Sequence, residues 1–318
     1  MSHATIPDRE FITLFEELGP KKLSERLDHN VRTIYRRRER VEQRNNITIK
    51  APNEEKGFPK INVNHPARVN IAIENGTILV GSDSHYWPDL ISTSHRAFVK
   101  LCKTLKPKCV VKNGDELDGS TISRFPPIGW ESLPTLEEEV VTVKKRLKEI
   151  EKAAPDDASL VWPLGNHDLR FESRLSKVAP EFAKIHGMHL KDHFPNWLPC
   201  WSAWVNDDLI IKHRFKGGQH SAYNNSLFSG KSICTGHYHR LLARPVADYN
   251  KKLRWGIECG TLADPNGPQF RDYSEDNPKD HHQGFAVLTF EDGNLLPPEL
   301  VYVLEENKVS FRGKILEV

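Results

Sequence analysis

Five short apolar runs in this chain each end in a polar cluster, and that recurrence restricts the fold more than any other feature. Ile78-Leu79-Val80 leads to Asp83-Ser84-His85, and Cys109-Val110-Val111 leads to Gly114-Asp115-Glu116-Leu117-Asp118. Leu160-Val161-Trp162 leads to Gly165-Asn166-His167-Asp168. Leu209-Ile210-Ile211 leads to His213, and Ser232-Ile233-Cys234 leads to Gly236-His237-Tyr238-His239. Continuous apolar runs of this length suit strands buried on both faces, and ligands in α/β proteins bind just past C-terminal strand ends. Helical spacing fills the intervals at 92–105, 135–153, 169–186 and 221–229, and further strand-like runs follow at 253–258, 285–290, 300–304 and 309–311. The expectation is an α/β core, with one open sheet or two stacked sheets and the helices outside. Val69–Ile73 and Thr77–Val80, joined by Glu74-Asn75-Gly76, read as a hairpin because Asn-Gly favours a two-residue turn. A second hairpin is expected through Asn206-Asp207.

Fourteen Phe and seven Trp in 318 residues exclude chain-wide disorder, and no stretch approaches the ~18 apolar residues of a membrane span. Five Cys without a CxxC pair suggest neither a disulfide framework nor a thiolate zinc site. With no signal-peptide core at the start, the expected location is cytoplasmic, in a bacterial or phage-infected host cytosol.

Charge is uneven although its sum is only +2. Residues 1–50 hold eleven basic and eight acidic side chains, and nine of the basic ones fall between Lys21 and Arg44. Helical spacing at Phe11, Leu14, Phe15 and Leu18, a break at Gly19-Pro20, and Asn30 as a cap before Val31, Ile34 and Val41 give three helices. Two short helices, a tight turn and a longer basic helix make a helix-turn-helix plan. Arg32, Thr33, Arg36 and Arg37 would lie on its exposed face, facing DNA or RNA. The expected domains are a nucleic-acid-binding module at 1–46, a linker at 47–67 rich in Pro and Gly, and a catalytic domain at 68–318.

Carboxylate, imidazole and amide oxygen gathered at strand ends suit two borderline-hard divalent ions. DxH, GDxxD, GNHD, a strand-terminal His and GHxH, in this order, resemble the calcineurin-like metallophosphoesterase family over about residues 68–318. The whole chain, with its N-terminal module, is similar to the phage and prophage type. The resemblance implies two stacked β-sheets flanked by helices. It also implies a first metal held by Asp83, His85, Asp115 and His239, and a second held by bridging Asp115 with Asn166, His213 and His237. His167 would stand off the metals beside the scissile phosphate, with Asp115 and His167 central to catalysis. Manganese is the first choice of metal, with iron, zinc, nickel or magnesium as alternatives.

Two departures from the family pattern matter. His213 is followed by Arg214 where the family often has Gly, which leaves His220 as an alternative ligand. The third cluster ends in Asp168 and the second lacks the GDxVDRG form, which argues against a phosphoprotein phosphatase. The expected activity is hydrolysis of phosphodiester bonds in nucleic acid, as a nuclease or phosphodiesterase, by attack of a water activated between the ions. The alternatives are a hydrolase of small phosphate esters and a non-catalytic DNA-binding regulator. Arg124 and Arg240 are candidate phosphate grips, and the polar loop Ala263–His282 is placed to border the site.

Overall fold

In the computed structural model, which describes residues 6–52, 62–65, 67–128, 130, 132–247, 249, 253–271, 274, 277 and 279–318, alternation along neighbouring strands builds the layers. Side chains two apart share a face. Ile78, Val80, Cys109 and Val111 meet Ile71, Val205, Ile211, Cys234 and Ile257 in one core between two sheets. The intervening Leu79 and Val110 turn the other way, onto Phe98, Leu101, Val143 and Leu147 of two covering helices.

One sheet runs β1 (Asn62–His65), β2 (Arg68–Ile71), β7 (Ser202–Val205), β8 (Leu209–Ile211), β9 (Ser232–Thr235), β11 (Arg254–Cys259) and β10 (Leu241–Val246). The other runs β16 (Lys314–Glu317), β15 (Lys308–Phe311), β14 (Glu299–Glu305), β12 (Gly284–Glu291), β3 (Gly76–Gly81), β4 (Cys109–Lys112), β5 (Ser159–Pro163) and β6 (Leu198–Cys200), with β13 (Asn294–Leu295) beside β12. β3, β4 and β5 are parallel neighbours, and so are β8 and β9. Helices α3 (Thr93–Leu105) and α4 (Leu136–Ala153) cover the second sheet, and α7 (Ser221–Ser229) packs on β9, β10 and β11. The remaining helices α5 (Asp168–Val178), α6 (Leu190–His193) and α8 (Pro268–Arg271) lie in connections. This is an α/β fold of two mixed sheets flanked by helices.

The hairpin expected through Glu74-Asn75-Gly76 does not form, because β2 and β3 belong to different sheets. β2 pairs with β7, and β3 pairs with β4 and β12. Asn75 instead accepts the backbone N–H of Asp292 at 3.0 Å, and Gly293 N–H donates to the Glu74 carbonyl at 2.8 Å. Two strands that each have a buried apolar partner elsewhere override a local turn preference. The hairpin through Asn206-Asp207 does form, as antiparallel β7 and β8.

The chain divides into two units, Met1–Phe58 and Pro59–Val318. In the smaller one, α1 (Asp8–Leu27) breaks at Gly19, whose φ of 73° and ψ of 169° precede Pro20, so two helical segments precede α2 (Val31–Asn45). Asn30 caps α2 by accepting Arg32 N–H at 2.8 Å. Phe11, Phe15, Leu23, Ile34 and Val41 form its core, joined by Ile49 and Ala51 from the stretch read as linker. Ile49 is tied down by its N–H to Glu42 Oε1, 2.8 Å away. Residues 53–61 and 66 of that stretch lie outside the described residues. Among the described residues no helix is long and apolar enough to cross a membrane.

Candidate metal centre

The polar clusters after β3, β4, β5, β8 and β9 converge. Backbone bonds zip the first two loops together: Asp83 N–H donates to the Gly114 carbonyl, His85 N–H to Asp115 and Tyr86 N–H to Glu116, at 2.9, 3.0 and 3.0 Å. Gly236 N–H likewise donates to the His213 carbonyl at 2.9 Å. Three groups of side chains result, Asp83 with His85 and His239, Asp115 with His213 and His237, and His85 with Asp118 and His167, each with ligand atoms within 4.8 Å of one another; the first two gather the candidate ligands. Asp83 Oδ1 links those two, 3.2 Å from His239 Nε2 and 3.9 Å from His213 Nε2. Asp115 Oδ2 lies 3.1 Å from His213 Nε2.

Asp83, His85, Asp115, His237 and His239 all have positive φ, from 37° to 72°. For residues other than glycine such backbone costs about 1–3 kcal/mol each, and it persists only where the surroundings over-determine it. Five such residues among seven candidate ligands mark the site without reference to any motif. Two motif glycines have a steric role as well. A Cβ on Gly165 would sit 2.0 Å from Asp115 Oδ1, and one on Gly236 would sit 2.5 Å from Asp83 Oδ2.

The donor atoms test whether cations fit. His85 Nε2, His213 Nε2 and Asn166 Oδ1 are buried and make no hydrogen bond, His213 Nε2 having only the Asp115 carboxylate beside it at 3.1 Å. Buried polar atoms are otherwise almost always paired, so three together need an explanation. The opposite nitrogens are occupied: His85 Nδ1 is 2.9 Å from Asp118 Oδ1, and His213 Nδ1 is 2.7 Å from the Asn113 carbonyl. That is how ligating imidazoles are oriented, with one N–H given away so that the other nitrogen presents a lone pair.

The electrostatics agree. Burial alone would lower the His213 pKa, yet Asp115 and Asp83 hold it up to about 10, so the carboxylates favour positive charge at Nε2, where a cation would sit. Burial opposes ionisation of Asp83 and Asp115, but the neighbouring imidazoles pull Asp83 down to about 2 and Asp115 well below the carboxylate range. Burial, and then the charge on His213, push His237 down to about 4. The donor set therefore fits a dinuclear site for divalent ions at the strand ends of the two sheets.

Around this centre the side chains divide differently from the sequence expectation. Asp168, the last residue of the third cluster, serves backbone groups and not the ligands directly. It is fully buried and accepts N–H groups from Asp115, Glu116 and Gly165, each at 2.9 Å, from Leu117 at 3.3 Å and from the Trp162 indole at 3.0 Å. One carboxylate thus pins the loop that carries Asp115. Asp118 stands between His85 and His167, 3.3 Å from His167 Nδ1, whose hydrogen bond goes to the Asp118 carbonyl at 2.8 Å. Burial would lower the His167 pKa, but Asp118 and Asp115 raise it. Arg170, one turn along α5, brings Nη2 to 3.1 Å from His167 Nε2 and donates from Nη1 to the Asp118 carbonyl at 2.8 Å. The reading missed Arg170, whose signal is its place three residues beyond His167, on the same helical face.

His220 is exposed before α7, whereas His213 is buried in the second group. Arg240 is engaged elsewhere: its Nη2 is 3.0 Å from Glu258 Oε1 and donates to the Gly218 carbonyl at 3.0 Å. Arg124 is exposed over the Phe125 ring. The 263–282 loop does border the centre, through Phe270, whose ring centroid is 5.2 Å from those of His85 and His239, and through His281, whose Nδ1 is 3.3 Å from His239 Nδ1. Tyr273 lies outside the described residues.

On α2, Arg32, Thr33 and Arg36 are exposed. Arg37 is not on the open face where the helical wheel puts it: it stacks over Phe11 at 4.6 Å, sits 3.7 Å from Asp8 Oδ1 and donates to the Ile6 carbonyl.

No family model matches the sequence, and no curated protein sequence matches it. Among solved structures the chain is similar to a protein serine/threonine phosphatase from Saccharomyces cerevisiae with similarity to human phosphatase PP5. The match has 14% identity and a TM-score of 0.37 and covers 76% of this chain and 85% of that one.

Proposed function

We propose that the chain hydrolyses phosphodiester bonds in nucleic acid with two divalent cations, manganese first among them, and that its N-terminal helix engages the DNA or RNA. The observation that carries the metal-dependent reading is the set of buried donors His85 Nε2, His213 Nε2 and Asn166 Oδ1, which make no hydrogen bond, beside two ionised carboxylates. Asp83, His85 and His239 would hold one ion, Asn166, His213 and His237 the other, and Asp115 both. Such ions, when bound, polarise a phosphoryl oxygen and lower the pKa of a water to near 7.

The remaining work belongs to the chain's own side chains. Asp118 holds the His85 ring in one orientation by accepting from Nδ1. His167, partly open to solvent and raised in proton affinity, accepts from Arg170 at Nε2 as it stands, and is suited to take up a proton there and pass it to a departing alkoxide once Arg170 turns away. Arg170, beside that nitrogen, can turn toward a phosphate oxygen as a bidentate donor. Arg32, Thr33 and Arg36, exposed after a three-residue turn, support contact with a phosphate backbone by a helix-turn-helix module.

The test is a substrate panel with added Mn2+: an aryl phosphodiester, DNA, RNA and a phosphopeptide. The ester and at least one nucleic acid should be cleaved and the phosphopeptide spared. Loss of outer-shell partners typically costs 10–100-fold, so Asp115→Asn should lower turnover by at least ~100-fold. Undiminished cleavage by Asp115→Asn would show the chemistry to lie elsewhere.

A further inference from the structure

The segment around three of the candidate ligands, His213, His237 and His239, carries a property that metal binding does not use. From Leu209 to Ala247 there are six basic side chains, Lys212, Arg214, Lys216, Lys231, Arg240 and Arg244, and no Asp or Glu. Lys231 and Arg240 are matched by carboxylates outside the segment, Asp207 at 3.2 Å and Glu258 at 3.0 Å. Lys212, Arg214, Lys216 and Arg244 have no carboxylate partner among the described residues. Three of these four alternate around buried His213 and exposed Phe215.

Aromatic rings interleave with the cations. Phe215 is 43% exposed and Phe228 61%, and Tyr238, between ligands His237 and His239, is 36% exposed. Lys212 Nζ lies 5.2 Å from the Phe215 centroid and Lys216 Nζ 4.1 Å from that of Phe228. Arg240 Cζ stands 5.2 Å from the Tyr238 centroid and Arg244 Cζ 4.7 Å from that of Tyr223. The segment is held rather than loose. Lys216 N–H donates to Asn225 Oδ1 at 3.0 Å, Arg240 ties down the Gly218 carbonyl, and a Cβ on Gly217 would meet the Tyr238 hydroxyl at 2.2 Å.

We infer that Phe215, Phe228 and Tyr238, with Lys212, Arg214 and Lys216, form a track for an unpaired nucleic-acid strand leading to the site where His213 and His237 would hold a cation. The inference rests on the phosphodiesterase reading for its direction toward the ions. Unpaired cations in series match a phosphate backbone, and exposed rings match bases only when those bases are free to stack. A duplex hides the base faces, and an acidic peptide has no use for the rings.

Binding of a fluorescent ~16-nucleotide strand to the full chain in EDTA tests this directly, because cleavage is then prevented. Stacking is worth about 1–3 kcal/mol per base, so Phe215→Ala with Phe228→Ala should weaken binding by about 10- to 100-fold. Phe215→Leu with Phe228→Leu, which keeps apolar area without an aromatic face, should lose nearly as much. Single-stranded DNA and RNA should both bind, and blunt duplex or polyglutamate should compete at least tenfold less well. Unchanged affinity in the leucine variant, or equal competition by duplex or polyglutamate, overturns the track. If the chain binds strands in this way but hydrolyses no ester with Mn2+, the track stands and the phosphodiesterase reading fails.

Discussion

The chain has two basic regions, and they use their charge differently. Between Lys21 and Arg44 nine cations share the stretch with Glu25, Asp28, Glu39 and Glu42. Several are consumed inside the module: Arg37 and Arg44 on Asp8, at 3.7 and 2.9 Å, and Arg38 on Glu42 at 2.9 Å. Between Leu209 and Ala247 there are fewer cations and no carboxylate, and four of the six have no acidic partner among the described residues. The lesson is that local potential depends on the uncompensated charge, not on the count of basic residues. Much of the N-terminal charge holds the module together, whereas most of the charge near the metal centre remains available to a polyanion.

The sharpest way to break this contrast is to neutralise two cations in each region and compare strand binding. For single strands, log K falls with log[salt] at about 0.7 per phosphate contact, so at ~0.1 M salt two lost contacts cost about 25-fold. Arg214→Ser with Lys216→Ser should show that loss, and its salt slope should be shallower by about 1.4. Arg32→Ala with Arg36→Ala, flanked by carboxylates, should cost no more than about 5-fold, one contact's worth. Equal losses in the two double variants would make the distinction idle.

The next effect is smaller and concerns stability rather than binding. Arg37 is mostly buried, with its guanidinium over Phe11 and its N–H donating to the Ile6 carbonyl. Arg37→Ala should cost about 1 kcal/mol, the sum of a modest cation–π contact and a partly screened ion pair. Faster amide exchange across α1, with strand binding unchanged, is the expected result. A binding loss comparable to that of the Arg32/Arg36 pair would return Arg37 to the contact face.

The same contrast shows what could be read from the sequence. Strand ends were legible because Ile78-Leu79-Val80 and Leu209-Ile210-Ile211 each give way within three residues to an Asp or His that no longer follows the apolar run. The helix break at Gly19-Pro20 was legible because proline cannot continue the preceding turn. The Glu74-Asn75-Gly76 connection misled because turn preference is local, whereas β2 and β3 are each claimed by a different sheet. β10 was missed because Pro245 argues against a strand, yet β10 is a sheet edge, where a missing N–H is tolerated. Arg37 misled because a helical wheel gives direction without neighbours, and the role of Asp168 was hidden because its partners are backbone groups, which carry no residue signature.

The smallest effect separates exposed from enclosed pairing within one module. Arg44 bonds the same Asp8 as Arg37, and at a shorter distance, 2.9 against 3.7 Å, but its side chain is 64% exposed against 14%. Distance alone would rank Arg44 as the stronger tie. Solvent screening reverses the order, since exposed pairs contribute only about 0.2–1 kcal/mol and less as salt rises. Arg44→Ala should therefore shift the module's stability by about 0.3 kcal/mol at low salt and not measurably at ~1 M, where the screening length falls to ~3 Å. Urea titrations at the two salt concentrations read this directly. A loss equal to that of Arg37→Ala would mean that contact with Phe11 adds nothing and that the N-terminal charges act only in pairs.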